Sequence, residues 1–130
     1  MILPQKSELP LKAPDNLFVF DDAKVNEFRK AFRDQKTYLP PTLTSVCMKG
    51  IFDLLNRFQI DWRKLLHATQ NFSYTKSIQI PSAVIAETTL VDLKSRASMI
   101  WFQFETKVSD QKSKEVLVVC KSLLMTGEAP

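Results

Sequence analysis

The sequence predicts an α+β domain in which a long buried helix packs on an antiparallel sheet. Three observations predict it. An apolar stripe with helical period runs from Leu43 to Phe58. The C-terminal half then changes to apolar runs of strand length separated by polar, hairpin-like links. The helical patterns come before these strands rather than alternating with them, which segregates helix from sheet.

Residues 1–16 carry Pro4, Pro10 and Pro14 among mixed charges and read as an extended N-terminal arm. Leu17–Phe20 is a short apolar strand. Asp21 or Asp22 can cap a following helix by accepting bonds from its free N–H groups. Val25, Phe28 and Phe32 recur at three and four along that short helix. Residues 33–38 form a polar link, and Pro40-Pro41 stops helix before it, because the residue preceding a proline avoids the α region.

The central helix is expected from about Thr42, its N-cap, to Phe58. Leu43, Val46, Cys47, Gly50, Ile51, Leu54, Leu55 and Phe58 share one face. Gly50 on that face costs roughly 1 kcal/mol relative to alanine, so close approach of helix backbone to sheet is expected there. Met48 and Phe52 widen the apolar surface and predict contact on more than one side. Four strands follow: Leu65–Tyr74, Ala83–Leu93, Met99–Val108 and Glu115–Met125. In the third, Ile100, Phe102, Phe104, Thr106 and Val108 share a face. The fourth is apolar on both faces and is expected to be central. Residues 92–98 and 109–114 read as turns. The domain is expected over 17–126, with 127–130 a polar tail.

Composition excludes several classes. At 130 residues with 45% hydrophobic and 25% charged, the chain suits one globular domain. Two glycines in the whole chain, and no Gly-rich phosphate loop, argue against that kind of nucleotide binding. The net charge of +4 is spread without a run or stripe, so no nucleic-acid partner is expected. Cys47 and Cys120 lie in apolar surroundings and read as buried free thiols. With one histidine they make no standard structural zinc set, so neither metal nor cofactor is expected. No apolar run reaches the length of a membrane span and the start breaks into proline and charge, so a cytoplasmic location without membrane association is the default expectation.

Two phrases resemble MaoC-like dehydratase domains. One is Trp62-Arg63-Lys64-Leu65-Leu66-His67-Ala68-Thr69-Gln70-Asn71-Phe72-Ser73-Tyr74; the other is Pro40-Pro41-Thr42-Leu43, similar to that family's entry into its central helix. The resemblance spans roughly residues 17–126. It implies the hot-dog fold, a curved antiparallel sheet wrapped around the central helix. It also implies chemistry on acyl thioesters of coenzyme A or acyl carrier protein, with water added or removed by an Asp and a His about five residues apart. Backbone N–H groups at the central helix start then polarise the thioester carbonyl. By resemblance, Tyr38, Pro41, Thr42, Thr44 and Ser45 are the thioester-side positions, and Met48 and Phe52 the acyl-side positions.

The sequence departs from the family at the dyad. Asp34 stands where the family's Asp does, but Arg33 replaces its glycine, and Gln35-Lys36-Thr37-Tyr38-Leu39 holds no histidine. The one histidine, His67, sits on the strand phrase. Asp34 and His67 are the residual catalytic candidates. The resemblance therefore implies a non-catalytic subunit that binds an acyl thioester and forms a homodimer, or a heterodimer with a catalytic hot-dog subunit. Two alternatives remain open: an active hydratase or thioesterase using a displaced group, with Asp53 and Glu87 as the acidic candidates, and a ligand-free structural dimer.

Overall fold

The computed structural model describes residues 2–21, 23, 45–79 and 82–127. The described residues form six strands and one α-helix: β1 (Leu11–Lys12), β2 (Asn16–Phe20), α1 (Lys49–Arg57), β3 (Leu66–Tyr74), β4 (Ser82–Arg96), β5 (Met99–Asp110) and β6 (Val116–Gly127). All pairings are antiparallel, in the order β1-β4-β5-β6-β3, with β2 also on β4. β6 lies between β5 and β3, the interior place that its two-sided apolar pattern predicts. β3 ends the sheet.

One face of the sheet is closed by α1. Phe102 and Phe104 of β5, Val84 and Leu90 of β4, and Val118 and Leu124 of β6 are all buried there. Cys47, Ile51, Leu54, Leu55 and Phe58 meet them from the helical side, as the stripe predicts. Gly50 shows why the stripe contains a glycine. A Cβ at this position would stand 2.5 Å from both Cβ and Oγ1 of Thr88. The helix therefore rests backbone-on-side-chain against β4, and Thr88 in turn bonds Thr106 at 2.8 Å.

The described part of the central helix is shorter than the sequence suggests. Ser45–Met48 is a 3-10 turn, and α geometry holds only from Lys49 to Arg57; 3-10 turns are common at helix starts. Thr42, the expected cap, lies outside the described residues, as does the expected helix through Val25, Phe28 and Phe32. At the other end Gln59 adopts φ 56°, Gln59 N–H bonds Asn56 C=O at 3.0 Å, and Ile60 N–H bonds Leu55 C=O at 2.9 Å. This is the Schellman closure, with glutamine where glycine is usual.

Two further differences have physical causes. The segment read as an arm lies on the domain: Ile2 N–H bonds Phe58 C=O, Ala13 N–H bonds Thr88 C=O, and Leu11 and Lys12 pair with Leu90 and Thr89. Residues 92–96 continue β4 rather than turning. The turn is only Ala97-Ser98, both at positive φ (52° and 62°), joining the paired residues Arg96 and Met99. A two-residue loop of that conformation normally carries Asn or Gly, so the sequence hides it.

Candidate functional site

Met48, Ile51, Phe52 and Leu55 recur at three and four and turn one flank of the helical segment toward β3. Between them and β3 lies a cavity of 450 Å³. Leu65, His67, Gln70 and Leu124 form the facing wall, and Trp62 and Arg63 stand at its lip. That volume is in the range of small-molecule sites. The lining is predominantly apolar, so the cavity suits a hydrocarbon chain or another slender apolar group.

A bulge positions the two polar groups. On a regular strand His67 and Gln70, three residues apart, would point to opposite faces. The register slips between His67 and Thr69: His67 lies opposite Leu124, Thr69 opposite Leu123, and Gln70 opposite Ser122. Leu124 and Ser122 both face the helix side, so His67 and Gln70 do too. Gln70 Nε2 donates to the Met48 sulfur at 2.9 Å, which ties strand to helix across the cavity. Arg63 is already committed: its guanidinium donates to both Asp61 oxygens at 3.0 Å. These bonds and the Arg63 backbone N–H hold the Asp61 carboxyl below its usual range.

Phe52 and Trp62 meet edge to face, with ring centroids 6.4 Å apart. They remain 44% and 57% exposed. The two rings therefore form an exposed apolar patch beside the cavity.

The carboxylates lie elsewhere. Asp53 accepts from Lys49 Nζ at 2.9 Å and from Asn16 Nδ2 at 3.2 Å, which fastens α1 to β2. The Lys49 ammonium beside it holds its carboxyl below the usual range. Glu87 is 3.7 Å from Lys12 on the opposite side of the sheet order. Neither lines the cavity, so the acid candidates for a displaced catalytic group are engaged in structural contacts. Among the described residues no cluster of His, Cys, Asp or Glu could hold a metal ion. Cys47 and Cys120 are free and buried, and burial pushes both thiols up to about 12.

Of the expected site residues, the structure brings Met48, Phe52 and His67 into one cavity. Asp34, Tyr38, Pro41, Thr42 and Thr44 lie outside the described residues, and Ser45 opens the 3-10 turn. Gln70 and Trp62 were not anticipated. Gln70 could be found only by placing the bulge, for which the sequence gives no signal. Trp62 follows Asp61, whose side chain accepts from Arg63 N–H at 3.0 Å; an aspartate cap at this point is the signal that could have marked the turn.

Among the described residues, an antiparallel sheet closed on one face by a helix, with a cavity between that helix and the sheet edge, marks the hot-dog class. The chain belongs to the FAS1-like dehydratase domain region family, whose match covers residues 20–119. A curated relative, a UPF0336 protein of Thermobifida fusca (strain YX), is 27% identical over 71 residues, 55% of this chain. The chain matches about half of that relative's length, 47%. The C-terminally truncated HadBC (3R-hydroxyacyl-ACP dehydratase) complex of Mycobacterium tuberculosis superposes with a TM-score of 0.70 at 13% identity, covering 89% of this chain and 95% of that one. A MaoC-like dehydratase from Rhodospirillum rubrum superposes at 0.60 and 14% identity, covering 93% of each. The MaoC-like resemblance and the hot-dog fold are thus borne out.

Proposed function

We propose that this chain is an acyl-thioester-binding hot-dog protein that has no Asp/His dyad and works beside a catalytic hot-dog subunit. The observation that carries the reading is the apolar cavity between α1 and β3, lined by Met48 and Phe52, to which the described residues bring one imidazole and no carboxylate. Hydration of an enoyl thioester needs both a base for the attacking water and an acid for the α carbon. His67 alone supplies one group. In this reading the sole histidine of the chain hydrogen-bonds the carbonyl of a bound acyl thioester rather than serving in a dyad.

Partner choice follows from β3. It ends the sheet for nine residues, and the described residues leave its outer edge unpaired. It carries no Lys, Asp, Glu or Pro, the usual protections of a free edge. Its end residues Leu66 and Tyr74 are 62% and 40% exposed. Such an edge favours antiparallel pairing with another hot-dog strand, which would also cover Phe52 and Trp62. HadBC is a 3R-hydroxyacyl-ACP dehydratase complex, which supports pairing between related subunits as the working arrangement.

The test has two arms. Pure protein is assayed for turnover of short and long enoyl thioesters, and for hydrolysis of saturated ones; none is expected. Co-expression with a dyad-bearing homologue should yield a stable pair in which hydration appears. Robust turnover by the pure chain would overturn the non-catalytic reading and favour an active hydratase or thioesterase.

A further inference from the structure

The opposite face of the sheet holds a second, larger cavity of 690 Å³, at the end near the β4–β5 turn. Cross-strand register places its residues on the side away from α1. Trp101 pairs with Lys94 and Met125, and Gln103 pairs with Asp92 and Leu123. These positions alternate with the buried Phe102 and Phe104, so they face outward. The floor is half-buried and apolar: Met99, Trp101 and Leu123. Around it stand amides, Asn71 and Gln103, and cations, Lys94, Arg96 and Lys121.

The lining carries an excess of positive charge, three cations to one carboxylate. Asp92 is the one carboxylate of the lining; it sits 3.6 Å from Lys94 and accepts from Leu93 N–H at 2.8 Å. Lys121 lies opposite Glu105 in the ladder. Arg96 has no ion pair among the described residues, although it stands at the mouth of a cavity floored by an indole. A hydrocarbon chain would use only the apolar floor and leave these exposed amides and cations to water, whereas a flat ring with an attached anion would engage both the indole floor and the cationic rim. Indole faces stack on planar rings, and guanidinium binds phosphate in a forked, charge-assisted geometry.

We propose that this outer cavity is a binding site for a small aromatic phosphate of mononucleotide size, its ring on Trp101 and its phosphate on Arg96. The site is independent of the acyl cavity, since the sheet lies between them.

The indole provides the readout. Trp62→Phe leaves Trp101 as the single tryptophan. Titration of that variant with 5′-AMP should quench its fluorescence saturably, and adenosine should bind more weakly. Arg96→Gln should weaken 5′-AMP by about tenfold or more, the expected loss for one charge-assisted contact. Phe52→Arg, which alters the acyl cavity, should leave the titration unchanged. No saturation up to millimolar 5′-AMP would overturn the proposal, as would equal affinity in Arg96→Gln. A mass that rises with concentration and falls back in Trp101→Glu would also overturn it, by showing that a second copy covers this face.

Discussion

Replacing Gly50 by alanine should destabilise the protein even though alanine is the better helix former. The helix-propensity gain is about 1 kcal/mol. Against it stands the contact with β4. The new Cβ would lie 2.5 Å from Thr88 Cβ and Oγ1 and 3.3 Å from Cγ2. Thr88 is 1% exposed, and its hydroxyl is bonded to Thr106, so it has no free rotamer to retreat to. Moving the helix outward is the remaining relief. Overpacking of this kind costs about 1–3 kcal/mol, and strain on the Thr88–Thr106 bond adds about 1 kcal/mol. The net expectation is a loss of about 1–3 kcal/mol, or a melting point lower by about 4–11 °C for a domain of this size. Thermal and urea unfolding of Gly50→Ala measure it. Asn56→Ala, at an exposed position of the same helix, is the control and should be neutral to slightly stabilising. A Gly50→Ala protein as stable as the parent would refute the close approach of α1 to β4.

Other predictions follow from the same geometry. Ser98→Gly relieves a positive-φ serine in the Ala97-Ser98 turn and should stabilise by about 1 kcal/mol in chemical unfolding; Gln59→Gly, at the helix closure, should gain about 0.5–1 kcal/mol. The thiols of Cys47 and Cys120, pushed up to about 12 by burial, should resist a disulfide reagent at pH 8 and react only on unfolding. Asp53 is held below its usual range by Lys49 and then by Asn16. A depressed carboxylate contributes stability that is complete above its unfolded pKa of about 3.9 and is lost as pH falls through the lower folded value. Asp53→Asn should therefore cost less than about 1 kcal/mol at pH 7 and converge with the parent as pH falls through the depressed folded value, as followed by unfolding midpoints across pH.

Much of the architecture was legible because apolar period and burial coincide. The alternation Ile100, Phe102, Phe104, Thr106, Val108 marks the helix-facing side of β5, and the two-sided pattern of β6 marks an interior strand. Gly50 announced its own contact. What the sequence concealed are places where backbone conformation departs from residue preference. Ala97-Ser98 turns without Asn or Gly, and Gln59 closes the helix without glycine. Leu11 and Lys12 read as an arm because proline-rich segments lack apolar period, yet backbone bonds to β4 fix them. At the candidate site, Met48 and Phe52 stood out because they exceed the core stripe. Gln70 did not, because its direction depends on a bulge at Ala68 that composition does not encode.

The central claim is that the cavity between α1 and β3 takes an acyl chain. Calorimetric titration of the pure chain, or of its complex with a catalytic hot-dog subunit, with a saturated long-chain acyl-CoA tests it directly. The account predicts saturable binding that Phe52→Arg abolishes in a folded variant. Absence of binding in both preparations, or binding unchanged by Phe52→Arg, would contradict it.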